Sequence, residues 1–452
     1  MTDTLSLKFS QLEKAKQIAE NSVPKIQRVA HYLRDRKHFA KHYSPRLVSI
    51  GPIHHGEENL QLGEKYKLMW AKRYLERTKQ DAKALYQKIA SNIKQLKERF
   101  AEDVIKVVPD DEKLSWMLLV DGCALLQILE KAKLHHPEME VKVDQLVLLS
   151  QDVLLLENQL PYEVLKLLSG PNNEATLLNS MKEFFKFHHL LPGAKNKDSA
   201  KGKTKDEDSK SSEGHTLPEH TVEIPLEEEP IHLLDQLRRS IILDVVPHKE
   251  EPRGKKKQDP DTVTYRNIQE LRTAGIKLKA NNSKSLRDIS FSYRCLCLCA
   301  VLKLPQITVD DTTAPTFLNL IAYEVCPDFK NNYEICSFVA FMDSLIDHPD
   351  DVKELRKAGV LHNALGSDEE VAKLFNTIST DLVPDSKSYS HVRAKIEKHY
   401  SKKWRTWLAL GYYTYFSNPW AIIAFHAAVF ALVLTFLQTW LTVHPPHSKD
   451  KT

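Results

Sequence analysis

Two adjacent histidines are the first residues in this chain whose types could do chemistry. His54 and His55 lie in the run Gly51-Pro52-Ile53-His54-His55-Gly56. An imidazole can ligate a metal or carry a proton near neutral pH. A metal centre wants ligands converging from several elements, however, and neighbouring side chains on an extended chain point apart. Gly51, Pro52 and Gly56 are turn formers, so the run predicts a fixed loop whose histidines bond backbone or line a surface. His54 and His55 are therefore the candidate functional loop. A hydrolase that pairs them with a carboxylate is the competing reading.

Other groups are weaker candidates. Asp152, Glu157 and Asn158 fall inside an apolar run, where paired carboxylates could do acid–base work but more often bond backbone near a chain break, here Pro161. Cys295, Cys297 and Cys299 alternate, so on a strand they share one face, suited to a soft metal or to plain packing against helices. Cys123 follows Asp121 and Gly122 between leucines, which predicts a buried, unreactive thiol, with Gly122 permitting close helix approach. No nucleophile has an evident partnered base. No catalytic, cofactor-binding or metal-ligating residue is assigned, and no cofactor is expected.

Composition narrows the classes further. Apolar residues make up 42% and charged residues 27% of 452, the balance of a globular protein with a core. The net charge of +4 argues against nucleic acid as a main partner. Neither G-x-x-x-x-G-K nor G-x-G-x-x-G occurs, so phosphate-cradling loops are not indicated. The six cysteines include no C-x-x-C, and a reducing compartment is the expectation. The polar, lysine-bearing start shows no secretory h-region.

The elements that must position these residues are mostly helical. Ala82, Leu85, Tyr86, Ile89, Ile93, Leu96 and Phe100 keep helical spacing within an amphipathic segment expected over 63–100, its lysines and glutamates on the outer face. A more fully apolar helix is predicted over 112–133, buried at the centre. Residues 146–168 form a third apolar stretch, to be broken or kinked at Pro161. The run Ile231 to Leu243 reads as a helix packing back on the body. From Leu286 the period becomes two, predicting a hairpin or small sheet. Helical patterns resume at Thr316 and Val371, and a last helix is expected from Tyr389 to Leu410. Residues 193–230 and 248–261 are lysine-, serine- and acid-rich with little to bury, and are expected to be a disordered linker and a loop.

Trp420 to Val443 carries no formal charge over roughly two dozen residues, enough to cross a bilayer core. Trp420 and Trp440 would lie about 30 Å apart on a helix, one at each interface. Ala424, Ala427, Ala428 and Ala431 offer small-xxx-small spacing for helix association, with His426 expected to bond across that interface. Lys402, Lys403 and Arg405 before the span outweigh Lys449 and Lys451 after it, which favours a cytosolic body at the plasma membrane or an endomembrane.

Several blocks, in order, resemble one plant family, that catalogued as domain of unknown function 247. They are Ile26 to Arg34, Tyr43 to Gly56 (YSPRLVSIGPIHHG), VDGC ending at Cys123, and LLLENQLP ending at Pro161. LLDQLRRS (Leu233 to Ser240), ELRTAGIKLK (Glu270 to Lys279), NLIAYE (Asn319 to Glu324), FMDSLI (Phe341 to Ile346), DEEVAKLFN (Asp368 to Asn376) and YFSNPW (Tyr415 to Trp420) follow. Ala30 stands where the family motif has proline. The resemblance implies a plant membrane protein, ending in a transmembrane helix, with no established biochemical activity. Some grass members are encoded at self-incompatibility loci, and others are tied to growth or stress.

The expected fold is mainly α: one large helical body over 23–415 with a small β-hairpin or sheet. An N-terminal segment (1–22) precedes it, and a C-terminal transmembrane helix (419–443) and a short tail (444–452) follow. The expected function is non-enzymatic recognition or signalling through protein contacts, self-incompatibility included; a lipid-surface scaffold acting through the lysine-rich stretches is a further alternative. The expected partners are the bilayer, a protein of unknown identity and a second copy of the chain, not nucleic acid.

Overall fold

The computed structural model describes residues 3–13, 24–36, 39–131, 139–170, 173–192, 229–242, 266–281, 283, 285–294, 299–329, 333–380, 382, 384–385, 387–401 and 419–444. The expected linker lies outside these except for Glu229 and Pro230, and the expected loop 248–261 lies outside altogether. The chain is mainly helical with small sheets, as its periodicity predicts.

Helix α1 spans Asp3–Glu13. The periodic segment over 63–100 is two helices, not one: α2 (Gln61–Thr78) and α3 (Ala82–Lys97). Lys79 takes a left-handed conformation that ends α2, and the Asp81 carboxylate starts α3 by accepting from the Lys83 and Ala84 amides. On α3 the buried residues are Leu85, Ile89, Ile93 and Leu96, the face that the spacing predicts. On α2 Lys67 breaks the expected polar outer face, because it is fully buried.

Helix α4 (Asp111–Lys131) is the central element. It is buried almost without interruption from Leu114 to Leu129 because α2, α3, α6 (Tyr162–Ser169) and α7 (Glu174–Phe187) all pack on it. This is why its apolar pattern shows no polar face. At Gly122 a Cβ would stand 2.4 Å from Leu168 and 3.2 Å from Val164, so glycine is what lets α6 close on α4. The apolar stretch over 146–168 breaks earlier than Pro161. Helix α5 (Val143–Asp152) stops at Asp152, eight residues of turns follow, and Pro161 is the residue from which α6 begins.

In the C-terminal half, α8 (Leu233–Ile242) and α9 (Ile268–Thr273) precede a three-stranded sheet of order β1-β3-β2. The hairpin of β2 (Ser290–Arg294) and β3 (Cys299–Leu304) matches the period-two reading. Strand β1 (Ile276–Ala280) adds to β3 in parallel, a pairing that the short run IKLK alone does not announce. Strands β4 (Ile307–Val309) and β5 (Leu361–Asn363) form a separate parallel pair. Helices α10 (Thr313–Glu324), α11 (Glu334–Leu345), α12 (Pro349–Lys357), α13 (Asp368–Ile378) and α14 (Ser390–Tyr400) pack against one another and the sheet. The part of the last expected helix beyond Ser401 lies outside the described residues.

One continuous apolar core runs from Ile26 to Ile396 across both halves. Each fully buried aliphatic side chain contributes about 1.5–3 kcal/mol. Helix α15 (Pro419–Val443) takes no part in that core. Its stretch Ile423–Val443 is long and apolar enough to cross a membrane, and none of it is buried among the described residues.

Candidate functional site

The segment Arg46 to His54 crosses the protein without regular secondary structure, so its backbone groups need partners from elsewhere. Buried polar side chains supply them. Asp152, at the end of α5, accepts from the Leu47 and Val48 amides at 2.7 and 3.0 Å and from Arg46 at 3.1 Å. Asn158 accepts from the Ile50 amide (2.6 Å) and donates to the carbonyls of Val48 and Asp152. Asp121, on α4, accepts from the Gly51 amide at 2.8 Å. Gly51 has φ +78°, and a Cβ there would come within 2.7 Å of the Gln159 carbonyl oxygen, so the crossing needs glycine at that point.

Two charged groups complete this frame. Lys67 Nζ lies 2.6 Å from Asp121 and 2.8 Å from Glu64, all but out of solvent. Burial works against its charge, but Asp121 and Glu64 outweigh burial and hold the ammonium above the ordinary lysine value. For Asp152 burial prevails over its three backbone donors and pushes the carboxyl up to about 6.

At the end of the segment the chain turns, and His54 points inward while His55 points out. His54 Nε2 is 2.9 Å from Glu157, and Nδ1 is 2.6 Å from Glu57. Glu157 is buried; it also accepts from the Val29 amide at 2.7 Å and from the Arg34 guanidinium. A carboxylate accepts only, so both ring nitrogens of His54 carry protons and the ring is an imidazolium between two anions. Burial would lower the His54 pKa, but the bonds to Glu157 and Glu57 raise it above the ordinary value. Burial would raise the Glu157 pKa, but His54 and Arg34 hold it below the ordinary range. A ring so engaged has no lone pair for a metal and no free site to take a proton.

The turn exposes His55, Gly56, Glu57, Glu58 and Asn59 in succession. The two histidines thus have opposite roles. The sequence-based expectation that they bond backbone or line a surface holds for His55 alone; the partners of His54 are carboxylates, one of them 103 residues away. Asp152 and Asn158 bond backbone as expected: Asn158 reaches the Asp152 carbonyl near the break and the Val48 carbonyl, and the two side chains together hold the amides of Arg46, Leu47, Val48 and Ile50, a segment remote in sequence.

A second buried cluster joins α8, α10 and α11. Arg238 donates to Glu324 from Nε (2.9 Å) and Nη2 (2.8 Å), and Glu324 accepts from the Ile335 and Cys336 amides at the start of α11. Arg238 also stacks over Phe329. A separate polar cleft of about 310 Å³ is lined by Asn267, Glu270, Asp343, Asp347 and Ser379 among others. Asp347 accepts from Asn267 at 3.0 Å and Asp343 from Ser379, while Glu270 pairs with Arg266.

Cys123 is fully buried, and burial pushes its thiol up to about 12, so it is unreactive. Cys295 and Cys297 lie outside the described residues, and Cys299 is placed only by its backbone in β3. Among the described residues no group of three or more His, Cys, Asp or Glu side chains is arranged to hold a metal. Trp420 and Trp440 stand exposed near the two ends of α15, and Ala424, Ala427, Ala428 and Ala431 lie along it. His426, two residues from both Ala424 and Ala428, projects from the far side of the helix, which corrects the expectation that it bonds across the alanine face.

The residues that sequence reasoning missed are Arg34, Glu57, Lys67, Arg238 and Glu324. For three of them a signal was present, since Arg34, Arg238 and Glu324 lie in blocks that carry the family resemblance, whereas Glu57 and Lys67 lie outside those blocks. The model of a plant protein family of unknown function, DUF247, matches residues 26–434. The chain belongs to the DUF247 family. It is 27% identical to the UPF0481 protein At3g47200 of Arabidopsis thaliana over 89% of this chain and 83% of that protein. It is also 26% identical to the putative UPF0481 protein At3g02645 of the same plant, over 40% of this chain and 34% of that protein. No solved structure matches. In this DUF247 chain, Asp121 belongs to VDGC, Glu157 and Asn158 to LLLENQLP, Arg238 to LLDQLRRS and Glu324 to NLIAYE.

Proposed function

We propose that this protein is a membrane-attached recognition protein that acts through protein contacts and not through catalysis. The observation that carries this is the engagement of both His54 nitrogens by carboxylates. It ties the candidate catalytic group into the frame and leaves His55 to Asn59 as an exposed loop on a rigid mount. A pre-ordered loop gives up little conformational entropy on binding, which favours a contact surface. The span at the C-terminus would hold this surface at a bilayer, with the body on the cytosolic side.

The test compares the full chain with a His55→Ala/Glu58→Ala variant in quantitative affinity capture from its native membrane. The expected result is loss of specific partners from the variant at unchanged thermal stability. Turnover on a broad hydrolase panel that disappears in a His54→Ala/His55→Ala variant would overturn the reading.

The native sequon Asn281-Asn282-Ser283 is a poor reporter of topology, because Asn281 is half-buried and its side-chain nitrogen already donates to the Asp288 carbonyl. A Lys210→Asn change, followed by Ser211 and Ser212, creates an acceptor sequon within the polar linker stretch. Absence of a glycan there in microsomes is the expected outcome; a glycosidase-sensitive mass increase would place the body in the lumen.

A further inference from the structure

Helix α15 is continuous from Pro419 to Val443, so its faces follow from 100° per residue. Ala424, Ala428, Ala431, Thr435, Gln438 and Thr442 fall within an arc of about 80°, which Ala427 extends to about 100°. The large side chains Phe425, Val429, Phe430, Leu432, Val433, Phe436 and Leu437 all lie outside that arc, and His426 points nearly opposite its centre. Between Ile423 and Val443 the helix is thus divided into one stripe of small and polar residues and a broad, mostly apolar remainder that includes His426, while the bulky Trp420, before that stretch, also falls within the arc.

The stripe contains one group that the helix does not satisfy. Thr435, Thr439 and Thr442 return their hydroxyls to the carbonyls of Ala431, Thr435 and Gln438 at 2.7–2.8 Å. The Gln438 side-chain amide makes no hydrogen bond among the described residues. It lies five residues past the middle of Ile423–Val443, about 7.5 Å from the centre of a hydrocarbon layer whose half-thickness is about 15 Å. An amide left unpaired there costs several kcal/mol, so the position calls for a partner in the membrane. A glutamine amide offers both donor and acceptor and is therefore complementary to itself across a two-fold axis. Small residues along the same stripe let two backbones approach closely enough for that bond.

We propose that the partner is a second copy of this chain: two parallel α15 helices pair through the Ala424–Ala428–Ala431–Thr435–Gln438–Thr442 face, with the two Gln438 amides bonded to each other. This rests on the reading that Ile423–Val443 spans a bilayer. It doubles the His55 loop on one membrane patch, which raises avidity for a clustered partner.

The full chain, labelled with donor or acceptor fluorophore and reconstituted in phosphatidylcholine vesicles, reports pairing as energy transfer against protein-to-lipid ratio. The wild type should show transfer above random proximity. Ala428→Ile should weaken association about tenfold or more by blocking approach. Gln438→Leu should weaken it about threefold to fifteenfold, with Gln438→Asn intermediate. His426→Leu and Phe436→Leu, outside the stripe, should leave it unchanged. Alkaline extraction separates the two readings. A wild-type chain released by alkali overturns the span and the pairing together. An alkali-resistant chain overturns the pairing alone if it shows no transfer, if neither Ala428→Ile nor Gln438→Leu weakens transfer, or if His426→Leu abolishes it.

Discussion

The two buried charge clusters are built from the same parts and end differently. Around Glu324, a carboxylate accepts from backbone amides and from Arg238, and Phe329 covers the guanidinium, so the bonds of Glu324 itself stay within the protein, and Arg238 reaches the surface only by way of Glu334 and its partner Arg287. Around Glu157, a carboxylate again accepts from a backbone amide and an arginine, but its third partner is His54, whose other nitrogen reaches Glu57 on an exposed turn. The first cluster locks three helices together. The second transmits the same rigidity to a surface. What a buried ion cluster contributes therefore depends on which elements its bonds join: helices to one another, or a buried carboxylate to an exposed loop.

Removing one member from each cluster should separate them most strongly. Glu324→Ala leaves Arg238 largely buried and the start of α11 uncapped, and should cost about 4 kcal/mol in denaturant unfolding of the body. A cost under about 1 kcal/mol would show that the cluster is not the lock described. His54→Ala should cost less, about 3 kcal/mol, because Arg34 and the Val29 amide remain on Glu157. It should also raise protease cleavage within His55 to Asn59, whereas Glu324→Ala should leave that loop protected at temperatures well below its transition. Equal loop cleavage in both variants would erase the distinction.

The pH dependence sharpens the contrast further. The folded His54 pKa is raised above the ordinary 6.5, so its contribution is complete below about that pH and is lost as pH rises through the folded value. The folded Glu157 pKa is lowered from 4.5, so its contribution is complete above about that pH and is lost as pH falls through the folded value. Between those two ordinary values both contributions are whole. Stability should therefore decline on the alkaline side of neutrality in the wild type and in Arg238→Met, whose cluster has no histidine, but not in His54→Gln. Unfolding midpoints across pH 5 to 9 check this, and an unchanged alkaline decline in His54→Gln would remove His54 from the explanation. The smallest effect is expected for His55→Ala, within about 0.5 kcal/mol of wild type because the side chain is exposed.

Much of the architecture was legible in the chain because it rests on local pattern. Four-residue spacing marked the buried face of α3, and alternation marked the β2–β3 hairpin. Continuous apolarity marked α4 as central. Where reading failed, the cause was a partner remote in sequence. Lys67 looks like a surface lysine until Asp121, on another helix, is brought to 2.6 Å from it. Strand β1 becomes a strand only when β3 arrives beside it. The apolar run over 146–168 breaks at Asp152 and not at Pro161, where Asp152 and Asn158 turn to the amides of Arg46, Leu47, Val48 and Ile50.

By itself the sequence determined the features that one segment can decide alone. The helical periods, the glycine at position 122 and the charge-free span of α15 follow from side-chain volume and hydrophobicity within a few turns. Tertiary structure decided which polar residues serve one another. Glu157 meets His54 across 103 positions and Val29 across 128. No local rule sets those pairings, because burying a charge is tolerable only where the whole fold delivers its counterpart to the same place.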